Sequence, residues 1–133
     1  MSIEDRARSL LAQDPASQHL GFTLVRADRD LAVLQMKVQD FMVNGHGICH
    51  GGFLFSFADS AFAFACADRG KAVVQNAQIE FLAPAHEGDA LLAQAELRHV
   101  QGRRGLGGVL VRRGQELILD LRSSARFLDR APS

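Results

Sequence analysis

One carboxylate and two glycines carry the first chemical signal. Residues 44 to 64 read NGHGICHGGFLFSFADSAFAF, with Asp59 standing among Phe53, Phe55, Phe57 and Phe62. On a helix its neighbours at three and four residues are Phe55, Ser56, Phe62 and Ala63, so the carboxylate projects from a largely apolar face. Burying an unpaired charge costs on the order of several kcal/mol unless it is paired or protonated. Two readings follow. The carboxylate caps another element or bonds across a subunit interface, or it serves as a general base or nucleophile whose desolvation raises its pKa and reactivity. Gly51 and Gly52 sharpen the choice. They fall near the amino end of the same predicted helix, about two turns before Asp59. Backbone N–H groups there lack intrahelical partners, and glycine lets a ligand approach them closely. Such an N–H pair can hold a carbonyl oxygen that becomes an oxyanion. Together with a carboxylate further along, it suits hydrolysis of an activated acyl group. Taken alone, Gly-Gly means only a tight turn into a helix.

Other chemistries find less support. His46, Cys49 and His50 make half a metal site, but no second ligand pair follows at suitable spacing, and Asp59 and His86 stand isolated. No metal and no cofactor is expected. Cys49 and Cys66 read as small buried apolar residues rather than a disulfide framework. No serine sits in a G-x-S-x-G elbow, so a Ser–His–Asp triad is not indicated. His19, His86 and His99 show no partner in the sequence and read as structural or exposed.

Residues 3 to 13 form a helix with Ile3, Ala7, Leu10 and Leu11 near one stripe, ended by Asp14-Pro15. A strand runs from Phe22 to Ala27, and Asp28-Arg29-Asp30 makes a turn. In 31 to 39, Ala32, Leu34, Met36 and Val38 share one face. The segment 48 to 68 is expected as one enclosed helix, stopped at Gly70. Strands follow at 72 to 82, 90 to 100, 105 to 111 and 116 to 128, with a hairpin turn at Arg113-Gly114. In the last, Leu117, Leu119, Leu121, Ala125 and Phe127 point one way, and Asp120, Arg122, Ser124 and Arg126 the other. Helix, two strands, a long apolar helix and a run of strands favour an α+β fold, with one antiparallel sheet wrapped around one central helix. One sheet layer cannot cover both sides of such a helix, so a second subunit is expected to help bury it.

The chain has 133 residues, which suits a single domain over 1–133. Hydrophobic residues make up 47% and charged residues 23%, the composition of a soluble globular protein. Lys+Arg and Asp+Glu both number 15, so no global field draws nucleic acid or anionic lipid. Trp and Tyr are absent and the phenylalanines cluster in one apolar run, which is no stacking platform for bases. The amino-terminal MSIEDRARSLLAQD is charged and periodic, unlike a signal peptide, and no apolar run is long enough for a bilayer. A cytoplasmic protein that binds neither nucleic acid nor membrane is the expectation.

The motifs then resemble a known family. Asn44-Gly45-His46, His50-Gly51-Gly52, Phe55-Ser56 and Ala58-Asp59-Ser60-Ala61-Phe62 resemble the signature of hotdog-fold acyl-CoA thioesterases, of the phenylacetic-acid degradation (PaaI) type. Leu20-Gly21-Phe22, Ile79-Glu80-Phe81-Leu82 with Pro84, and Gly88-Asp89 match in order, so the likeness spans almost the whole chain. The HGG and AD-x-A pair is specific for the family and much less so for the substrate. The resemblance implies a thioester hydrolase for aryl or phenylacetyl-type CoA thioesters. Gly51 would donate its N–H to the thioester carbonyl. Asp59 would activate water or attack the carbonyl to give a transient anhydride. His50 and Gly52 would shape the site, Ser60 would supply a hydroxyl, and Asn44 would organise the loop leading in. It also implies a homodimer or homotetramer, with Asp59 and Gly51 supplied by opposite chains. Gln13 and Gln78 stand where relatives tend to carry Asn and Thr, and both can still hydrogen-bond a substrate or water. Arg98, Arg103, Arg104, Arg112 and Arg113 are candidates for the CoA phosphates, or simply a solvated strand edge. Two rivals stay open: an acyl-thioester hydratase or dehydratase, which would pair a His with an acid, and a non-catalytic acyl-CoA-binding protein.

Overall fold

The computed structural model describes residues 1–128. The single-domain expectation runs to residue 133, and its last five positions lie outside the described residues.

Helix α1 (Ile3–Ala12) opens on a capping box. The Asp5 N–H donates to Ser2 Oγ at 3.0 Å, and the Ser2 N–H donates to the Asp5 carboxylate at 3.3 Å. The sequence marks Asp14-Pro15 as a stop. It is also a start, because α2 (Pro15–Leu20) follows at once. Asp14 accepts from the Ser17 N–H at 3.2 Å, and Pro15 at the first helical position has no N–H to waste. Gly21 closes α2 in the left-handed region, with φ at 77°.

The strands are β1 (Thr23–Asp28), β2 (Leu31–Lys37), β3 (Ala72–Phe81), β4 (Ala90–Gln101), β5 (Arg104–Arg113) and β6 (Glu116–Phe127). They form one antiparallel sheet in the order β1-β2-β4-β5-β6-β3. The alternation in β2 holds, with Ala32, Leu34 and Met36 all buried. In β6, Leu119, Leu121, Ala125 and Phe127 are buried, with Ser123 on the same alternation. Ser124, expected on the outer face, is nevertheless buried. Glycines let the middle strands crowd together. A Cβ on Gly107 would overlap the Glu96 carbonyl, and one on Gly105 would come within 2.7 Å of the Leu97 side chain.

The long apolar segment forms α3 (Gly51–Ala65), shorter at both ends than the expected 48 to 68. The start is delayed because the preceding residues are held extended. The Cys49 N–H donates to the Ala85 carbonyl and the His50 N–H to the Met42 carbonyl, both at 2.7 Å. At the far end the chain tightens into a 3₁₀ turn, Ala67–Arg69, and Gly70 ends it with φ at 88°. One side of α3 packs into the sheet through Leu54, Phe57, Ala58, Ala61, Phe62 and Ala65, all buried. The other side stays open: Gly52 and Ala63 are exposed, and Phe55, Ser56, Asp59 and Ser60 are half-buried. The helix is therefore enclosed on one side only within the chain.

Ion pairs fix the ends of these elements. Arg69 clamps Asp30 through two hydrogen bonds of 2.7 and 2.9 Å, tying the β1–β2 turn to the exit from α3. Asp30 itself has φ at 58°, the cost of this tight turn.

Candidate active site

The loop before α3 is built by Asn44. Its side-chain oxygen accepts from the His46 and Ile48 N–H groups at 2.9 and 3.3 Å, and its own N–H donates to the Ile48 carbonyl at 2.8 Å. The loop delivers His50 to the N-cap of α3, where Nδ1 accepts from the Gly52 N–H at 2.9 Å. The Gly52 donor is thus consumed. The Gly51 N–H, one residue earlier, has no hydrogen-bond partner among the described residues. Of the two glycine donors, only Gly51 is available to a ligand.

His50 is exposed, and its ring meets Phe53 edge-on at 6.2 Å. The bond from Gly52 occupies Nδ1, which leaves Nε2 as the ring nitrogen that can meet a ligand. His50 and Asp59 are nine residues apart on one element, about 13 Å along the axis, so they do not pair within one chain.

Asp59 lies on the open side of α3 with no hydrogen bond or ion pair to its carboxylate among the described residues. Burial pushes its pKa above the ordinary carboxylate value, with no charged partner to oppose the shift. Ser60 beside it is half-buried. Ser56, a turn earlier, is occupied: its hydroxyl donates to the Gly52 carbonyl at 2.9 Å. The result is a desolvated, unpaired carboxylate and a free N–H on one helix. Eight residues separate them, which is a rise of about 12 Å. One acyl carbonyl cannot touch both within a single chain.

The remaining expected residues divide. Gln13 caps the end of α1 and lines a cavity of about 790 Å³ with Ala63 and Phe64, one turn beyond Asp59. Gln78 is placed elsewhere. It lies between Ala77 and Ile79, which face the core, so it projects from the opposite face of the sheet. There it lines a groove of about 580 Å³ with Arg98, Arg104 and Arg122. Within one chain the sheet separates Gln78 from Asp59.

Among the arginines, Arg113 is committed to structure. It pairs with Asp89 at 2.6 Å and with Glu116, and donates to the Pro84 carbonyl. Arg122 joins the groove although the sequence reading did not select it. Its signal was there: alternation in β6 puts it on the outer face, and register sets it opposite Gln78 and Gly108. Phe81 was missed as well. It ends β3 half-exposed, and its ring lies 3.1 Å from where a Gly51 Cβ would be. Only the fold brings residues 51 and 81 together.

Among the described residues, no group of three His, Cys, Asp or Glu side chains is placed to hold a metal ion. Cys49 is buried, and burial pushes its thiol up to about 11.

The same fold occurs in known proteins. Residues 46–119 match the model of the thioesterase superfamily. The chain belongs to the thioesterase superfamily. The acyl-coenzyme A thioesterase PaaI of Escherichia coli K12 is 44% identical over 99 residues, covering 74% of this chain and 70% of that protein. The structure of E. coli PaaI, from the phenylacetic acid degradation operon, superposes with a TM-score of 0.91 at 33% identity, covering 97% of this chain and 95% of that one. A variant of the phenylacetic acid degradation protein PaaI of Thermus thermophilus superposes with a TM-score of 0.84 at 30% identity, covering 86% of this chain and 100% of that one. The fold of this superfamily member is the hotdog: a six-stranded antiparallel sheet around one central helix. Among the described residues, no helix is long and apolar enough to cross a membrane.

Proposed function

We propose that this protein hydrolyses acyl-CoA thioesters of the aryl or phenylacetyl type, at a site shared by two copies of the chain. The observation that carries this reading is a desolvated Asp59 carboxylate and a Gly51 N–H, both without partners among the described residues, on the same open helix face. The N–H of Gly51 polarises the thioester carbonyl and holds the oxyanion. Asp59 of the other copy takes a proton from water as the water attacks, or attacks the carbonyl itself to give an anhydride that water then hydrolyses. The thiolate of CoA leaves. Ser60 supplies a hydroxyl beside the carboxylate, and Gln13 reaches the same region from the end of α1.

The shared site follows from distance. The rise of about 12 Å between Gly51 and Asp59 prevents them from serving one carbonyl, whereas a two-fold pairing of helices brings each Asp59 to the other copy's Gly51. The edge strand β3 supports such pairing. It has ten residues, contains no Pro or Lys, and is hydrogen-bonded to a strand on one side only. The kinship with E. coli PaaI supports the thioester chemistry. The phosphates of CoA are assigned to the groove that Arg98, Arg104 and Arg122 line together.

A hydratase would need His50 and an acid to exchange protons. The N-cap bond to Gly52 commits Nδ1 of His50 to structure, and this favours hydrolysis over hydration. The test is thiol release from phenylacetyl-CoA and its ring-hydroxylated analogues by the wild type and Asp59→Asn. Loss of turnover in a folded variant is expected. Near-normal turnover by Asp59→Asn would sink the catalytic assignment. Hydration of crotonyl-CoA, or binding without turnover, would favour the rival readings.

A further inference from the structure

We infer that Phe81 is a specificity-determining residue for the acyl group, selecting flat aromatic acyl chains at the oxyanion donor. This rests on the thioesterase reading above and goes further, because it names the side chain that reads the substrate.

Phe81 Cζ and Cε1 lie 3.1 and 3.2 Å from the position of a Gly51 Cβ, so the ring turns its edge to this glycine. Any side chain at position 51 would have to displace it. The residue is nevertheless 52% exposed within the single chain, so the part of it that does not meet Gly51 is turned away from the core, toward the side where the second copy completes the site. Gly51 also has an N–H without a hydrogen-bond partner among the described residues. A carbonyl bound to that N–H therefore begins its acyl group within contact range of the Phe81 ring.

The surroundings are aromatic too. Phe53 follows Gly51 by two residues and meets Phe41 edge-on at 5.7 Å, while His50 packs against Phe53 at 6.2 Å. Phe41 is 48% exposed. Rings therefore sit around the His50-Gly51-Gly52 turn, with that of Phe81 close against Gly51. A half-exposed phenylalanine is poorly explained as core. Edge-to-face or offset contact with a substrate ring favours an aryl over an alkyl group of similar size.

The experiment measures kcat and KM for phenylacetyl-CoA and hexanoyl-CoA with the wild type, Phe81→Ala and Phe81→Leu. In both variants, kcat/KM for phenylacetyl-CoA is expected to fall about tenfold more than that for hexanoyl-CoA. The leucine variant retains apolar bulk, so a loss there isolates the aromatic ring. Melting and gel filtration on the same samples report fold and assembly. Equal losses on both substrates, or loss only together with dissociation of the subunits, would overturn the inference. Wild-type protein inactive on every acyl-CoA would instead defeat the thioesterase reading, and the selectivity claim with it.

Discussion

Asp59 is held at a cost that the proposed hydrolysis would explain. Its pKa is raised by desolvation alone, so the folded protein holds the proton to higher pH than the unfolded chain. Between the ordinary carboxylate value and the raised one, the folded state binds more protons, and stability falls as pH rises through that window. At neutral pH the charge therefore weakens the fold. Asp59→Asn should melt at higher temperature than the wild type at pH 7, with the gap closing as pH drops toward about 4, followed by calorimetry. The same variant should lose about 10²–10⁴-fold in kcat. In the wild type, kcat/KM should rise through the raised pKa and then level off; a rise centred at an ordinary carboxylate pKa would contradict the burial. Gly51 allows a sharper cut. Proline is tolerated at the first helical position, and His50 already has the extended ψ of 134° that a following proline requires. Gly51→Pro removes the N–H and should lower kcat about 10²–10³-fold. Gly51→Ala crowds Phe81 equally but keeps the N–H, so the difference between the two variants reports the donor. Asp59 and Gly51 were legible in the sequence because a charge in an apolar helix and a glycine pair at its start are local signals. Phe81 was not, since its contact with Gly51 spans thirty residues of chain.

The elements were legible where one rule acted alone. Strict alternation gave β2 and most of β6, and the mostly apolar run gave α3. Errors arose where two rules shared a residue. Asp14-Pro15 ends α1 and also starts α2, because a proline barred from the middle of one helix is welcome in the first turn of the next. The start of α3 moved because the bonds of Cys49 to Ala85 and of His50 to Met42 reach across the chain. His50→Ala should cost about 0.5–2 kcal/mol through loss of the cap, measured by denaturant unfolding. It should also release the Gly52 N–H to compete for the substrate oxygen.

At the scale of the whole molecule, the open side of α3, the long β3 edge and the Gly51–Asp59 spacing point the same way: toward a second copy of the chain. The apolar character of α3 anticipated this need for cover, whereas the groove of Arg98, Arg104 and Arg122 emerged only with the sheet register. If the groove holds the CoA phosphates as proposed, Arg104→Gln and Arg122→Gln should each raise KM for acyl-CoA about tenfold with little change in kcat, because the phosphates lie far from the reacting carbonyl. Gln78 belongs to that groove and should follow the same pattern, not that of Asp59. The proposed shared site is open to a direct measurement: mixing Asp59→Asn and Gly51→Pro subunits, each expected to be inactive alone, under conditions that exchange chains. In a mixed dimer, one site inherits both lesions and the other inherits none. Random pairing makes half the dimers mixed, so thioester hydrolysis should return to about a quarter of the wild-type rate. A mixture no more active than either variant alone, with chain exchange verified, would show that Asp59 and Gly51 do not act across subunits.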